Sequence, residues 1–498
     1  MPPDVRDWLA EDHLAWFVLD AVAGLQLGEF YGAYRRDGVG RRAYDPAMVV
    51  ALLLYCYARG VRSARAIERA CREDVACRVI AMLEAPDHAT IARFVERHEA
   101  ALGELFGQVL GLCDEAGLVR PGVVAIDGTR LAGNTSRASN RDFGQIAREI
   151  LAEAKATDEA EDELYGDARG DELPEQLRTR EGRREFFRHA RERRAAQDRD
   201  ADEGSGPEPA ADSLELDAEQ IVARGLGRVG WVREARRQLE ACRWRAPDPL
   251  PRDRTERLLL AAQRMEEDLD AQLAGNRAYE LYRATGRDTR GRHLGRRPNP
   301  WVAPMVPDAM VSVTDPDSRH IKANEAYVQG YNAQAVVDEN QIVLAAEITN
   351  STVDFSQLAP MITAALGELE RAGVADRPEV AVADAQYWNE QHIDEVVADQ
   401  HIQVLIPPDS GARTTPRPGW TGGRYTAMRN ALASPTGKAI YRRRKQMIEP
   451  VFAHTKHNRQ VTRFLRRGRA AVRAEWRLLM TTHNLTKLHR HHLAAIGA

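Results

Sequence analysis

A chain of 498 residues with 43% apolar and 29% charged residues has the make-up of a protein with a good core, divided into roughly two to four domains. Its net charge of −4 gives by itself no case for a polyanionic partner. From Lys438 onward, however, fifteen Lys/Arg stand against two Asp/Glu, and much of the compensating acid lies between Glu153 and Glu219. That asymmetry points to a polyanion-binding C-terminal region. Cys56, Cys71, Cys77, Cys113 and Cys242 form no CxxC pair and no metal spacing, so they read as small buried residues in a reducing cytoplasm. No signal peptide is expected. The most apolar run, Met48–Tyr57, is too short to span a bilayer and reads as a core helix, so a cytoplasmic protein without a membrane partner is expected.

In chain order, residues 1–118 read as all-helical, with periodicity over Leu14–Tyr31, Pro46–Ala58, Ser63–Cys71 and Thr90–Leu118. Asp45-Pro46 is a start signal, the polar residue as N-cap and proline at the first helical position. Arg62, Arg65, Arg69, Arg72, Arg93 and Arg97 lie on or beside the short helices near Ser63 and Thr90. They either line one side, as in a helix-turn-helix, or decorate solvated faces. At Pro121 the texture changes. Val123–Ile126 is a continuous apolar run ending in Asp127-Gly128-Thr129, a buried strand with a carboxylate at its end. From Asp142 to Arg297 the chain is again helical and highly charged. Two helical pieces are expected there, Gln145–Gln197 and Ala218–Thr285, joined through the breaker-rich GSGPEPAADS patch. The second piece, with Trp231 and Trp244, is either a plain helical insert or a contact surface.

Strands resume with Ala309–Thr314, then the turn Asp315-Pro316-Asp317-Ser318. Tyr327–Val337 and Gln341–Thr349 predict a hairpin around Asp338–Asn340. A helix over Phe355–Ala372 leads to strand Glu379–Ala383 and Asp384. A helix near Trp388–Asp399, strand Ile402–Ile406 and a Pro/Gly/Thr-rich loop, Pro407–Gly422, follow. The basic helix YRRRKQMIEPVFAHTK covers Tyr441–Lys456, and a last basic helix runs over Arg469–Leu493.

Two apolar strands each end in an aspartate, Asp127 and Asp384, and a carboxylate there sits at a sheet's carboxyl edge, where open α/β sheets place ligands. Each alone is ordinary turn chemistry. With Glu449, isolated among bases on its helix, they supply the hard oxygen ligands that Mg²⁺ and Mn²⁺ take. Two such ions, roughly 3.5–4 Å apart, serve phosphodiester displacement. Helical spacing puts Tyr441, Lys445, Glu449 and Lys456 near one face, with Pro450 as an interior kink. Elsewhere the plainer readings prevail. His489, His491 and His492 belong to a basic tail, Trp388 packs behind the site, Asp315 and Asp317 make a turn, and Asp354 caps a helix.

The order Asp127, Asp384, Glu449 resembles the DDE transposases of bacterial insertion sequences. So do the segments DPAMVVALLLYCYARGVRSARAIERACRED, PDHATIARF, IDGTRLAGNTSRAS, TDPDSRHIKANEAYVQGYNAQAVVD, EITNSTVDFSQL, VADAQYW and YRRRKQMIEPVFAHTKHNR. The resemblance implies an α/β (α+β) RNase H-like core, a mixed sheet whose first three strands are antiparallel, flanked by helices. It divides the chain into an N-terminal helical, DNA-binding domain (1–118), a catalytic core (119–141 and 299–468), a helical insertion (142–298) and a basic C-terminal helix (469–498). Asp127, Asp384 and Glu449 would ligate two Mg²⁺ ions, with Mn²⁺ able to substitute. Water, and then a freed 3′-hydroxyl, would attack phosphodiesters in double-stranded DNA, at terminal inverted repeats and in target DNA, with the protein a homodimer associated with the nucleoid. Tyr441, Arg444, Lys445, Lys456 and Arg459 would contact DNA. The family's tyrosine-arginine-glutamate-lysine signature most often places its arginine four residues before the glutamate, where this chain has Lys445. Arg444 is five before, and Tyr441 is displaced by one in the same way. The alternatives are an RNase H-like nuclease without strand transfer and a domesticated, non-catalytic DNA-binding protein.

Overall fold

The computed structural model describes residues 4–34, 43–153, 179–186, 188–189, 216–224, 227–245, 250–285, 304, 306–323, 326–409 and 420–496. The GSGPEPAADS patch, most of the expected piece Gln145–Gln197 and residues 410–419 of the expected loop lie outside them. The chain divides into two compact units, residues 1–134 with 320–498, and residues 135–319.

Among the described residues the strands are β1 (Val123–Ala132), β2 (Asn140–Arg141), β3 (Val311–Ser312), β4 (Arg319–Ala323), β5 (Ala326–Val337), β6 (Val343–Thr349), β7 (Val380–Val382) and β8 (Gln403–Leu405). In the first unit β5 is flanked by β1 and β6, antiparallel to both. On its other side β1 pairs with β7 in parallel, and β7 with β8. The sheet is thus mixed, with β1, β5 and β6 antiparallel as expected, and β4 joins β5. β6 is buried along its whole length and β5 over residues 329–337, where Gln329, Asn332 and Gln334 are buried polar residues. β1 is longer than the expected Val123–Ile126. Its ladder to β5 continues through Ala132, so polar Asp127, Thr129 and Arg130 are strand residues.

The N-terminal helices are α1 (Leu14–Gly24), α2 (Gly28–Gly32), α3 (Pro46–Ala58), α4 (Ala64–Glu73), α5 (Val75–Ile80), α6 (His88–Arg97) and α7 (Glu99–Glu115). Asp45 caps α3 as read, accepting from the Ala47 amide at 3.1 Å ahead of Pro46. The expected helix Thr90–Leu118 is broken at His98, whose buried ring sits 4.5 Å from that of Phe94 and 5.1 Å from that of Phe30.

Behind the sheet lie α11 and α15, numbered after the second unit's helices α8 (Ala218–Arg224), α9 (Gly227–Arg245) and α10 (Arg254–Thr285). α11 spans Leu358–Arg371 and α15 spans Arg469–Ile496. Between them in sequence come α12 (Glu390–Asp399), α13 (Gly423–Ala433) and α14 (Pro435–Ala453). The charge count made α15 part of a polyanion-binding region, but its middle is core. Trp476, Leu479 and Met480 are fully buried. Arg477, 1% exposed, bonds Glu368 at 2.6 Å, Glu347 at 3.2 Å and the Gly103 carbonyl at 2.9 Å. Arg473 and Arg477 balance the buried carboxylates of Glu347 and Glu368, which a count along the sequence cannot register.

In the second unit, Phe143, Ile146 and Ile150 pack on Leu258, Leu259 and Met265 of α10. Trp231 of α9 is fully buried among Ala274, Ala278, Tyr279 and Tyr282, a core residue rather than a contact. Arg183–Glu266 and Arg264–Asp317 are buried ion pairs at 2.9 and 3.2 Å, so Asp317 serves the unit's own packing.

Candidate active site

Asp127 lies within β1 and Asp384 two residues past β7. The parallel register aligns Ala125 with Val382, so two further residues along each strand bring Asp127 level with Asp384 at the carboxyl end of the pair. Their electrostatics agree with this. Asp127 is pushed up to about 6, first by burial and then by the Asp384 charge. Burial also raises Asp384, opposed by the Gln386 amide that donates to its Oδ1 at 2.8 Å. Two half-desolvated carboxylates side by side form a site that attracts a cation.

The nearest cation is on α14. Ser434 caps that helix, accepting from the Gly437 amide at 3.0 Å, with Pro435 at its first position. Arg444 turns inward from it and donates from Nη1 to Asp127 Oδ2 at 3.0 Å. Burial works against the Arg444 charge, but Asp127, Tyr441 and Asp384 together hold its pKa above the ordinary value. Tyr441 is half-buried beside it, while Lys445 and Glu449 are exposed. The displaced arginine of the signature is therefore the one that reaches Asp127. The helix runs through Pro450 and ends in a π-turn, His454–Asn458, which carries half-buried Lys456. Burial, and then the Arg130 charge, lower the Lys456 pKa.

Arg459 departs from its expected DNA-contacting place. It is 3% exposed and donates to the Leu479 carbonyl at 2.8 Å and Thr482 Oγ1 at 3.0 Å. At the end of the π-turn this base therefore faces α15. Trp388 is buried, its ring stacked 5.3 Å from that of Tyr425, which fits packing behind the site. His489 meets the Asp12 carbonyl and the Phe17 ring, so this part of the tail lies against α1.

Sequence reasoning missed one group of residues. Asp354 does not cap α11, which begins at Leu358 with Gln357 at its N-cap position. Its buried carboxylate accepts from Asn332 Nδ2 at 2.7 Å, Gln334 Nε2 at 2.8 Å and Arg130 Nη2 at 3.1 Å. Tyr387, directly after the Asp384 turn, donates its hydroxyl to Gln334 Oε1. The signal was present in β5, where Asn332 and Gln334 recur two apart on one face of a strand otherwise apolar around them.

The expected arginine face in the N-terminal helices divides. Arg65, Arg69, Arg72, Arg93 and Arg97 are exposed on α4 and α6, which Glu68 links by accepting from the His88 amide at 3.0 Å. Arg62 instead pairs with the fully buried side chain of Glu475 at 2.7 Å.

Among the described residues, no three His, Cys, Asp or Glu side chains converge closely enough to hold a metal ion. The Asp127–Asp384 pair nonetheless suits Mg²⁺, which is commonly held by one or two carboxylates together with substrate phosphates rather than by an all-protein cage. No described helix is long and apolar enough to cross a membrane.

Residues 3–97 match the family described as a transposase domain, and residues 305–485 match the transposase DDE domain. The chain is a DDE transposase of the insertion-sequence type. The DDE domain implies an RNase H-like fold, with which the mixed sheet is compatible. No curated protein and no solved structure matches the chain.

Proposed function

We propose that this transposase cleaves double-stranded DNA at the ends of its element and joins the freed 3′-hydroxyls to target DNA. The observation that carries the reading is the levelled pair Asp127 and Asp384, faced by Arg444. Asp127, Asp384 and Glu449 are the carboxylates we assign to the reaction, and the first two form the electronegative pocket. Two bound Mg²⁺ ions, or Mn²⁺ in their stead, would activate the attacking oxygen and stabilise the leaving one. Arg444 fixes the Asp127 carboxylate by a charge-assisted hydrogen bond. Tyr441, Lys445 and Lys456 approach the phosphate backbone from α14 and its π-turn. Residues 1–118 hold DNA through the exposed arginines of α4 and α6. The catalytic core comprises 119–141 and 299–468, interrupted by a helical insertion (142–298) and closed by the helix 469–498. We assign the working form to a homodimer on DNA.

The test is a strand-transfer assay with end-sequence DNA and Mg²⁺. Joined product from wild type supports the reading, as does loss of cleavage with retained DNA binding in Asp127→Ala and Glu449→Ala. Nicking without joined product would favour a nuclease. Activity indifferent to both substitutions would favour a non-catalytic DNA-binding protein.

A further inference from the structure

The buried Asp354 lies outside the assigned carboxylates, yet its charge acts on Asp127 and Asp384 alike. It stands at the centre of a polar layer on one face of the sheet. Gly128 pairs with Gln334 and Arg130 with Asn332, so alternation places these four on the face opposite Asp127. A Cβ at position 128 would lie 2.2 Å from Gln334 Nε2 and 2.9 Å from Asp354 Oδ1. The glycine after Asp127 therefore leaves the room this layer occupies.

Two of the three bonds to the Asp354 carboxylate lead toward the segment that carries Asp384, and the third, from Asn332, stays on β5. Through Gln334 it reaches the Tyr387 hydroxyl, and Tyr387 closes the turn in which its own amide donates to the Asp384 carbonyl at 3.1 Å. Through Arg130 it reaches Gln386 Oε1 at 3.5 Å, and the Gln386 amide holds the Asp384 carboxylate. A buried carboxylate that receives three donors is an expensive feature to maintain without a purpose, because each bond must offset desolvation. β7 itself has only three residues, so the ladder alone holds this turn weakly.

We infer that Asp354 is a positioning residue: it ties the Asp384–Tyr387 turn to β1 and β5 and so fixes the Asp384 carboxylate beside Asp127. The inference rests on the proposed function only for the reason the positioning matters. The tie itself is read separately.

The experiment uses the full chain and two variants, Asp354→Asn, which keeps the shape and removes the charge, and Tyr387→Phe, which removes only the hydroxyl link. Hydrogen exchange is followed by mass spectrometry in peptides covering residues 379–389, with α3 peptides as an unchanged reference. Mg²⁺-dependent nicking of end-sequence DNA is measured in parallel. The expected result is at least tenfold faster exchange of the turn in Asp354→Asn, a smaller acceleration in Tyr387→Phe, and α3 exchange as in wild type. Nicking falls at least tenfold in Asp354→Asn while DNA affinity stays within twofold. Turn exchange equal to wild type in both variants overturns the inference, whatever happens to nicking. Faster exchange across α3 as well also overturns it, because Asp354 would then support the whole fold. Should wild type show no nicking, the proposed function fails, and a selectively loosened turn still supports the tie.

Discussion

The guanidinium of Arg444 donates from Nη1 to Oδ2 of Asp127 across 3.0 Å, joining α14 to β1. Hydrogen bonds to charged groups contribute about 1.5–3 kcal/mol. If that much is withdrawn from the transition state, Arg444→Ala slows DNA cleavage by roughly 10- to 100-fold, at about 1.4 kcal/mol per decade. Lys445 is exposed and assigned to the phosphate backbone rather than to Asp127, so at saturating DNA Lys445→Ala changes cleavage by less than about threefold and shows its loss in DNA binding. Single-turnover rates on end-sequence DNA check both. A larger loss at Lys445 than at Arg444 would give Lys445 the signature arginine's role.

Asp127 supplies a pH signature. Its pKa is pushed up to about 6 from 3.8, so between those values the native state keeps a proton that the unfolded chain has released. Stability therefore falls as pH rises through that window, by roughly 2–3 kcal/mol in total. Asp338, pushed up to about 7 by burial, adds a slope of the same sign. Urea unfolding from pH 4 to pH 7 should accordingly be shallower in Asp127→Asn than in wild type, with the Asp338 slope remaining. Above pH 6, Mg²⁺ should raise the Tm of wild type and leave Asp127→Asn unmoved. Identical pH slopes in the two proteins would refute the assignment.

Arg477 anchors α15 to the sheet and to α11 through Glu347 and Glu368, all three side chains under 5% exposed. Removing one member of such a buried cluster leaves the others uncompensated and costs about 3–5 kcal/mol. Arg477→Ala should lose that much in urea denaturation, and Arg477→Ala with Glu368→Gln should lose less than the sum of the single changes. Additive losses would mean that the two residues do not interact.

The arginines of the first hundred residues sort by burial. Arg69→Ala and Arg93→Ala, on exposed positions, should weaken DNA binding across sequences and each reduce the slope of log affinity against log salt by about one. Arg62→Ala should leave the slope unchanged and lower the Tm, because it strips the counter-charge from buried Glu475. Fluorescence anisotropy at several salt concentrations separates the two behaviours. A reduced slope in Arg62→Ala would put that residue on the DNA face.

By itself the sequence determined many of the local elements and named the candidate residues. β-rich arms around a short connector located β5 and β6, and apolar runs β7 and β8, to within a few residues, while Asp45-Pro46 marked the start of α3 at its true position. Those features depend on neighbours within a turn or a strand, which local periodicity records. The motifs likewise singled out Asp127, Asp384 and Glu449, the carboxylates we assign to the reaction under the proposed function. Tertiary structure alone decided what each polar side chain faces. It turned Arg444 rather than Lys445 onto Asp127, and it withdrew Arg459, Arg477 and Arg62 from solvent. It also made Asp354 the centre of a buried layer instead of a helix cap. A charge's role depends on desolvation and on partners that are often hundreds of residues away in the chain, and neither quantity is written in the spacing of residues along it.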